Sequence, residues 1–264
     1  GPRALLPLQR KLLRRLCFDA GALRTAPVLA RLTAVKAKGT ALEAEALLDL
    51  AELLNLRAYA RTYVSKEPEA VAELEEALVA AQQARQLTTS LRVRRLLGRT
   101  LASAAHALML SLLDHHRRQR LTEEWGGGPQ MFHAATQELE AGVTSAQGSE
   151  LGMFMASLGE CWYCMASAAD HCAEKALGEV SAQCAAAQAR RLLKEALEVF
   201  AGAGLARTLE HADALKDLGK VVSCFELEDP SPAREVLTAS LDLHVALLGV
   251  SHPRTRNVMR LLED

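Results

Sequence analysis

The chain has 264 residues, of which half are hydrophobic, only 4% are aromatic, and the net charge is −1. That length suits one large domain or an extended array, and the near-neutral balance argues against bulk electrostatic binding of a polyanion. No apolar run reaches the ~18 residues needed to span a bilayer.

In chain order, Gly1-Pro2 reads as the remnant of a cleaved tag and is set aside. No secretory signal is visible. Residues 4–18 read as a short basic amphipathic helix with a stripe of Leu5, Leu8, Leu12 and Leu16. Residues 26–37 read as a second helix stopped at Gly39, so residues 1–39 form an N-terminal helical cap. Thr40 with Glu43 three residues on has the form of a capping box, opening a helix that runs to about Val64. Glu67-Pro68 opens its partner over residues 68–86.

Two local patterns then recur. The first is A-x3-L-x2-A: Ala70, Leu74, Ala77; Ala135, Leu139, Gly142; Ala189, Leu193, Ala196; Ala233, Leu237, Ser240. Successive copies start 65, 54 and 44 residues apart, so the array is irregular while each element keeps its internal spacing. The second is a Leu-Gly pair followed three residues on by an apolar side chain: Leu97-Gly98 with Leu101, Leu158-Gly159 with Trp162, and Leu218-Gly219 with Val222. Leu50-Ala51 with Leu54 is a looser copy. Small residues at such places let neighbouring helices approach closely.

The connections are expected at EEWGGGP (Glu123 to Pro129, a flexible loop), at Thr144 to Ser149, and at EDPSP, where Ser231 can cap before Pro232. Near the C-terminus, Leu237, Leu241, Val245 and Leu248 fall on one helical face. Gly249 then sits where a left-handed cap is wanted, and Pro253 can start a last helix.

This last stretch, with Leu248, Gly249, His252 and Pro253 in an L-G-x-x-H-P turn, resembles the tetratricopeptide repeat of the kinesin-light-chain type. The Leu-Gly pairs resemble the core of the first helix of that repeat. The resemblance implies an all-α, right-handed superhelical array of antiparallel helix pairs without a sheet. Residues 40–264 would hold about four such pairs and a closing C-terminal helix. The implied function is a non-enzymatic scaffold that binds a peptide or a helix of a partner protein in a concave groove.

Seven arginines and one acid, Asp114, lie between Gln86 and Arg120. Arg92, Arg95 and Arg99 are spaced i, i+3, i+7 and so share one helix face. Carrying over the repeat register places these three in the groove, together with Lys216, Lys220, Asn257 and Arg260. A partner of acidic character would suit them, because arginine captures carboxylates bidentately. The resembling co-chaperones clamp a carboxylate with repeated asparagines, whereas this chain has only Asn55 and Asn257, far apart along the array.

Other chemistry finds little footing. Cys161, Cys164, His171 and Cys172 have zinc-compatible residue types but lie in a helical pattern, where cysteine is a small packing residue. His115-His116 sit with Arg117, Arg118 and Arg120 at an expected helix end. No nucleophile elbow, H-E-x-x-H or phosphate loop occurs. No cofactor or metal is therefore expected. Scattered, reduced cysteines point to the cytoplasm, with cytoskeletal association as a further expectation. Two other functions stay open: a nucleic-acid-binding repeat using Arg92 to Arg120, and the helical-repeat part of a larger enzyme.

Overall fold

A computed structural model describes residues 26–64, 69–110, 115–171, 180–225 and 230–263, without the side chains of 56, 59–64 and 69–71. The expected helix over 4–18, the Glu67-Pro68 opening and Cys172 lie outside these residues. The described chain is all-helical, with no strand: α1 (Ala26–Ala37), α2 (Glu43–Val64), α3 (Glu69–Leu87), α4 (Leu91–Met109), α5 (His115–Trp125), α6 (Gly128–Ser145), α7 (Gly148–His171), α8 (Ala182–Gly202), α9 (Leu209–Phe225), α10 (Ser231–Leu248) and α11 (Pro253–Glu263).

The most extensive contacts join α2 to α3, α4 to α6, α7 to α8 and α9 to α10. Each second helix also packs on the next first helix: α3 on α4, α6 on α7, α8 on α9 and α10 on α11. The first helices touch in series, α2 to α4, α4 to α7 and α7 to α9, and α11 comes round to touch α2. The neighbour packing is that of a helical repeat array whose inner face is built from α2, α4, α7, α9 and α11.

The two recurring patterns pack on each other. A Cβ placed on Gly98 would lie 2.6 Å from Leu139 Cγ, on Gly159 2.7 Å from Leu193 Cγ, and on Gly219 2.5 Å from Leu237 Cγ. In each case the leucine is the central residue of the A-x3-L-x2-A element. The flanking residues Ala135, Ala189, Ala196 and Ala233 are buried as well. At Gly98 and Gly159 the backbone carbonyls of Ala135 and Ala189 lie within 3.3 Å of the same point, so the crossing has no room even for a methyl group.

Caps follow from local chemistry. Thr40 Oγ1 accepts from the Leu42 amide at 3.2 Å, and the Glu43 carboxylate accepts from the Gly39 amide at 2.6 Å. This is the expected reciprocal device displaced by one residue. The L-G-x-x-H-P turn is built as the residues suggest: Gly249 has φ +82°, His252 Nδ1 accepts from the Arg254 amide at 3.2 Å, and Thr255 Oγ1 donates to the Gly249 carbonyl at 2.8 Å.

Four expectations are corrected. His115-His116 do not close a helix but open α5, an extra helix between α4 and α6 that is tied to α3 by Arg117 and Arg120 on Glu75. EEWGGGP is not a long loop: Gly126 and Gly127 alone turn the chain, at φ +80° and +108°, and α6 starts at Gly128 against Met109. Ser231 is the first residue of α10 rather than its cap. The buried stripe of α10 is Ala233, Leu237, Ser240 and His244, not the leucine–valine stripe, and Val245 is 41% exposed. Leu237 belongs to both stripes, whereas Leu241 and Leu248 are half-buried and Val245 is exposed; the small Ala233 and Ser240 admit α9.

Gly159→Ala tests the crossing. An alanine inside a helix normally gains ~0.5–1 kcal/mol over glycine. Here overpacking against Leu193 should reverse the sign and cost ~1–3 kcal/mol in urea denaturation. Gly202→Ala, where a Cβ meets nothing within 4 Å, should be neutral or stabilising.

His106 on α4 is 4% exposed and meets Ser167 Oγ of α7 at 3.2 Å. Burial, aided by Lys220 and His171, lowers its pKa from 6.5 to about 4. The unfolded chain then binds a proton that the folded chain refuses, so stability is full above pH 6.5 and falls as pH drops toward 4. The loss should be on the order of 3 kcal/mol. Urea midpoints of His106→Gln measured against pH should show that slope removed.

Candidate functional site

The inner face carries a ladder of ion pairs between first helices. Arg92 on α4 reaches three carboxylates of α2: Glu45 at 3.0 Å, Asp49 at 2.8 Å and Glu52 at 2.7 Å. Those acids lie at i, i+4 and i+7 and so form one row on α2. About two turns further along α4, Arg99 Nε donates to Glu160 of α7 at 3.2 Å. Lys220 on α9 lies 5.5 Å from the Tyr163 ring centroid of α7, a cation–π contact.

Asp213 on α9 is the hub at the far end. Its Oδ2 accepts from Arg254 of α11 at 3.0 Å, and its Oδ1 accepts from Lys216 at 3.4 Å and faces His244 Nε2 of α10 at 3.2 Å. His244 is fully buried, and its Nδ1 lies 2.9 Å from the Ser240 carbonyl. The Ser240 hydroxyl is itself committed to the Ala212 carbonyl at 2.7 Å. Both nitrogens of the ring therefore face acceptors. Burial opposes the charge on Asp213, but Lys216, Arg254 and His244 overcome it and hold the carboxyl well below its usual range.

These helices enclose one cleft. It is lined by Glu52 and Asn55 of α2, Leu96, Arg99 and Ser103 of α4, Glu160 of α7, Asp213 and Lys216 of α9, and Pro253, Arg254 and Asn257 of α11. Its empty space, part of it open to solvent, is about 710 Å³. Three carboxylates and three cations line it, so the cleft is balanced in charge.

The residues expected in the groove divide accordingly. Arg99, Lys216 and Asn257 line the cleft. Lys216 and Lys220 are only 7% exposed and bind Asp213 and Asp217, so they are not the open cations expected. Arg260 is exposed on α11 and is not part of the cleft. Burial and the charges of Glu52 and Asp49 pull Arg92 in opposite directions; the carboxylates win and raise its pKa. Arg95 differs from both neighbours. It makes no hydrogen bond or ion pair among the described residues, and burial and the nearby Arg99 lower its pKa. It sits in a separate hollow with Arg92, Glu150, Met153 and Phe154.

Asn55, read as remote from Asn257, shares the cleft with it because α11 returns to α2. Asp213, Glu160 and Arg254 were missed as site residues. Their pairing spans 41 to 61 positions of sequence, which leaves no local signal. Cys161 and Cys164 are buried on α7, where burial pushes both thiols up. Among the described residues no three His, Cys, Asp or Glu side chains converge as a metal site needs, and no helix is long and apolar enough to cross a membrane. No protein-family model matches the chain, and no curated protein matches it.

Asp213→Asn should loosen the closure, since three donors lose a charged acceptor. Hydrogen bonds to charged groups are worth ~1.5–3 kcal/mol, and partial exposure of the side chain discounts that. Urea denaturation should show a loss of about 1–2 kcal/mol, and limited proteolysis should release α11 earlier than in the wild type.

Proposed function

We propose that the chain is a tetratricopeptide-like, non-enzymatic scaffold whose inner cleft holds a segment of a partner protein. The observation that carries this reading is that α2, α4, α7, α9 and α11 all contribute side chains to one cleft. A surface assembled from every pair of an array is well suited to sum weak contacts along an extended ligand.

The partner's acidity is narrower than the sequence implies. Arg92 and Arg99 already hold carboxylates of this chain, so Arg95 is the cation of that face with bonding capacity to offer an incoming carboxylate. Nucleic acid is disfavoured for the same reason. Of the seven arginines between Arg92 and Arg120, five pair with glutamate or aspartate: Arg92, Arg94, Arg99, Arg117 and Arg120. A phosphate-tracking surface needs such cations unneutralised.

Displayed random peptides selected on the wild type and on Arg95→Glu provide the test. Wild-type selection should enrich a position for Asp or Glu, and Arg95→Glu should lower affinity for those peptides about ten-fold, ~1.4 kcal/mol. The melting temperature should hardly move, since Arg95 makes no ion pair. Arg92→Glu or Arg99→Glu should instead destabilise the fold, by placing like charges against Glu45, Asp49, Glu52 or Glu160. Selection that yields no acidic preference, or peptides that bind Arg95→Glu equally well, would refute the reading.

A further inference from the structure

A groove between α8 and α9 shares no lining residue with the cleft and carries charge of one sign. From α8 come Gln183, Ala187, Arg190 and Lys194, spaced i, i+4, i+7 and i+11 and so in one row along that helix, with Arg191 beside it. The row covers roughly 16 Å of helix axis, the length of about five extended residues. From α9 come Val221, which is buried, and Phe225, which is half-buried. Three cations and no carboxylate line this groove, whereas the cleft has three of each. Lys194 is exposed and makes no hydrogen bond or ion pair among the described residues. Arg191 is answered from its own helix, by Glu195 at 2.7 Å and Gln188 at 3.3 Å. On the inner face, by contrast, Arg92, Arg99 and Arg254 each bind an acid of another helix. Lys194 and Arg191 tie no helix to another, so their charges do not hold the array together.

We propose that this groove is a second docking surface, for a short acidic segment of a partner protein that carries an apolar side chain among its carboxylates. The carboxylates face the row of α8, and the apolar side chain lies on Phe225 and Ala187. Charge complementarity selects this occupant, because a surface of one sign attracts the opposite sign and repels its own. A nucleic-acid strand fits less well: three cations are few for tracking a phosphate backbone, and Phe225 is a single aromatic ring for stacking. The proposal does not depend on the inner cleft or on Arg95.

Displayed random peptides would be selected on the whole protein carrying Arg95→Glu, which removes the acidic preference expected of the inner face and so separates the two surfaces. Peptides with two or more Asp or Glu around an apolar residue should be enriched, and their synthetic forms would be measured by fluorescence anisotropy. Lys194→Glu should weaken their binding roughly five-fold or more, since it turns an attraction into a repulsion. Ala187→Trp changes no charge and should weaken them too, by filling the groove. Arg234→Glu, an equal reversal at an exposed position of α10, should leave them unchanged. Lys194 and Ala187 are exposed, so thermal melting should find each variant folded. Selection without acidic enrichment, an equal loss with Arg234→Glu, or peptides indifferent to Lys194→Glu or to Ala187→Trp would overturn the proposal. Two other occupants are distinguishable, and either would overturn it as well. Single-stranded DNA that binds more tightly than any selected peptide, with the same dependence on Lys194, would assign the groove to phosphates. Acidic peptides that bind only after Glu226→Gln, Glu228→Gln and Asp229→Asn, in the stretch that follows Phe225, would assign it to the chain's own acids.

Discussion

A leucine seated on a bare stretch of helix backbone is the contact on which this molecule depends. Leu139 on Gly98, Leu193 on Gly159 and Leu237 on Gly219 draw the two helices of a pair together until side chain meets main chain. Close-packed interiors do not deform smoothly, so such a crossing fixes both the separation and the rotation of the helices about their axes. The rotation matters most for function. With the glycine turned toward the leucine of the second helix, another face of each first helix is turned toward the next first helix, and that face carries Arg92, Arg99, Glu160 and Asp213.

The charges on the inner face serve orientation more than stability. Exposed pairs are worth ~0–1 kcal/mol, so the apolar crossings supply the larger share of the free energy. The pairs nevertheless have specific partners. Arg92 answers a row of three acids on α2, Arg99 one acid on α7, and Arg254 one on α9. Each rung spans one junction between first helices, and a slip of one residue would set Arg92 against Ala46, Leu50 and Leu53, and Arg99 against Gly159 or Cys161, so the pairing would be lost. The surface is consequently rich in ions and poor in net charge, which favours a ligand chosen by geometry and hydrogen bonding over one drawn in by field.

What could be read in the sequence was whatever repeats within a helical turn or two. The Leu-Gly pairs, the A-x3-L-x2-A elements, Gly249 and Pro253 each act on neighbours a few residues away, and their spacing exposes them. The face of α10 was misread for a related reason. Leucine and valine look like core, yet of that stripe only Leu237 is fully buried, and the close approach of α9 needs Ala233 and Ser240 beside it. The break after Met109 was hidden because the apolar pattern runs into a basic stretch that suits either end of a helix. The candidate site was legible only in part. Arg92, Arg95 and Arg99 could be placed on one face, but their different fates depend on acids 40 to 61 positions away. Asn55 and Asn257 come together only through the curvature of the whole array, which no local pattern encodes.

The return of α11 to α2 changes how the array behaves as a chain of coupled units. In an open solenoid every repeat has two neighbours except the terminal ones, and melting starts at those ends. Here the last inner helix borders the first, so the sequence of inner helices has something close to a periodic boundary. A repeat in the middle is then reached by two routes around the ring instead of one, and a local loss of structure is resisted from both sides. The same circular coupling links the first pair to the last, since α2 and α11 are in direct contact.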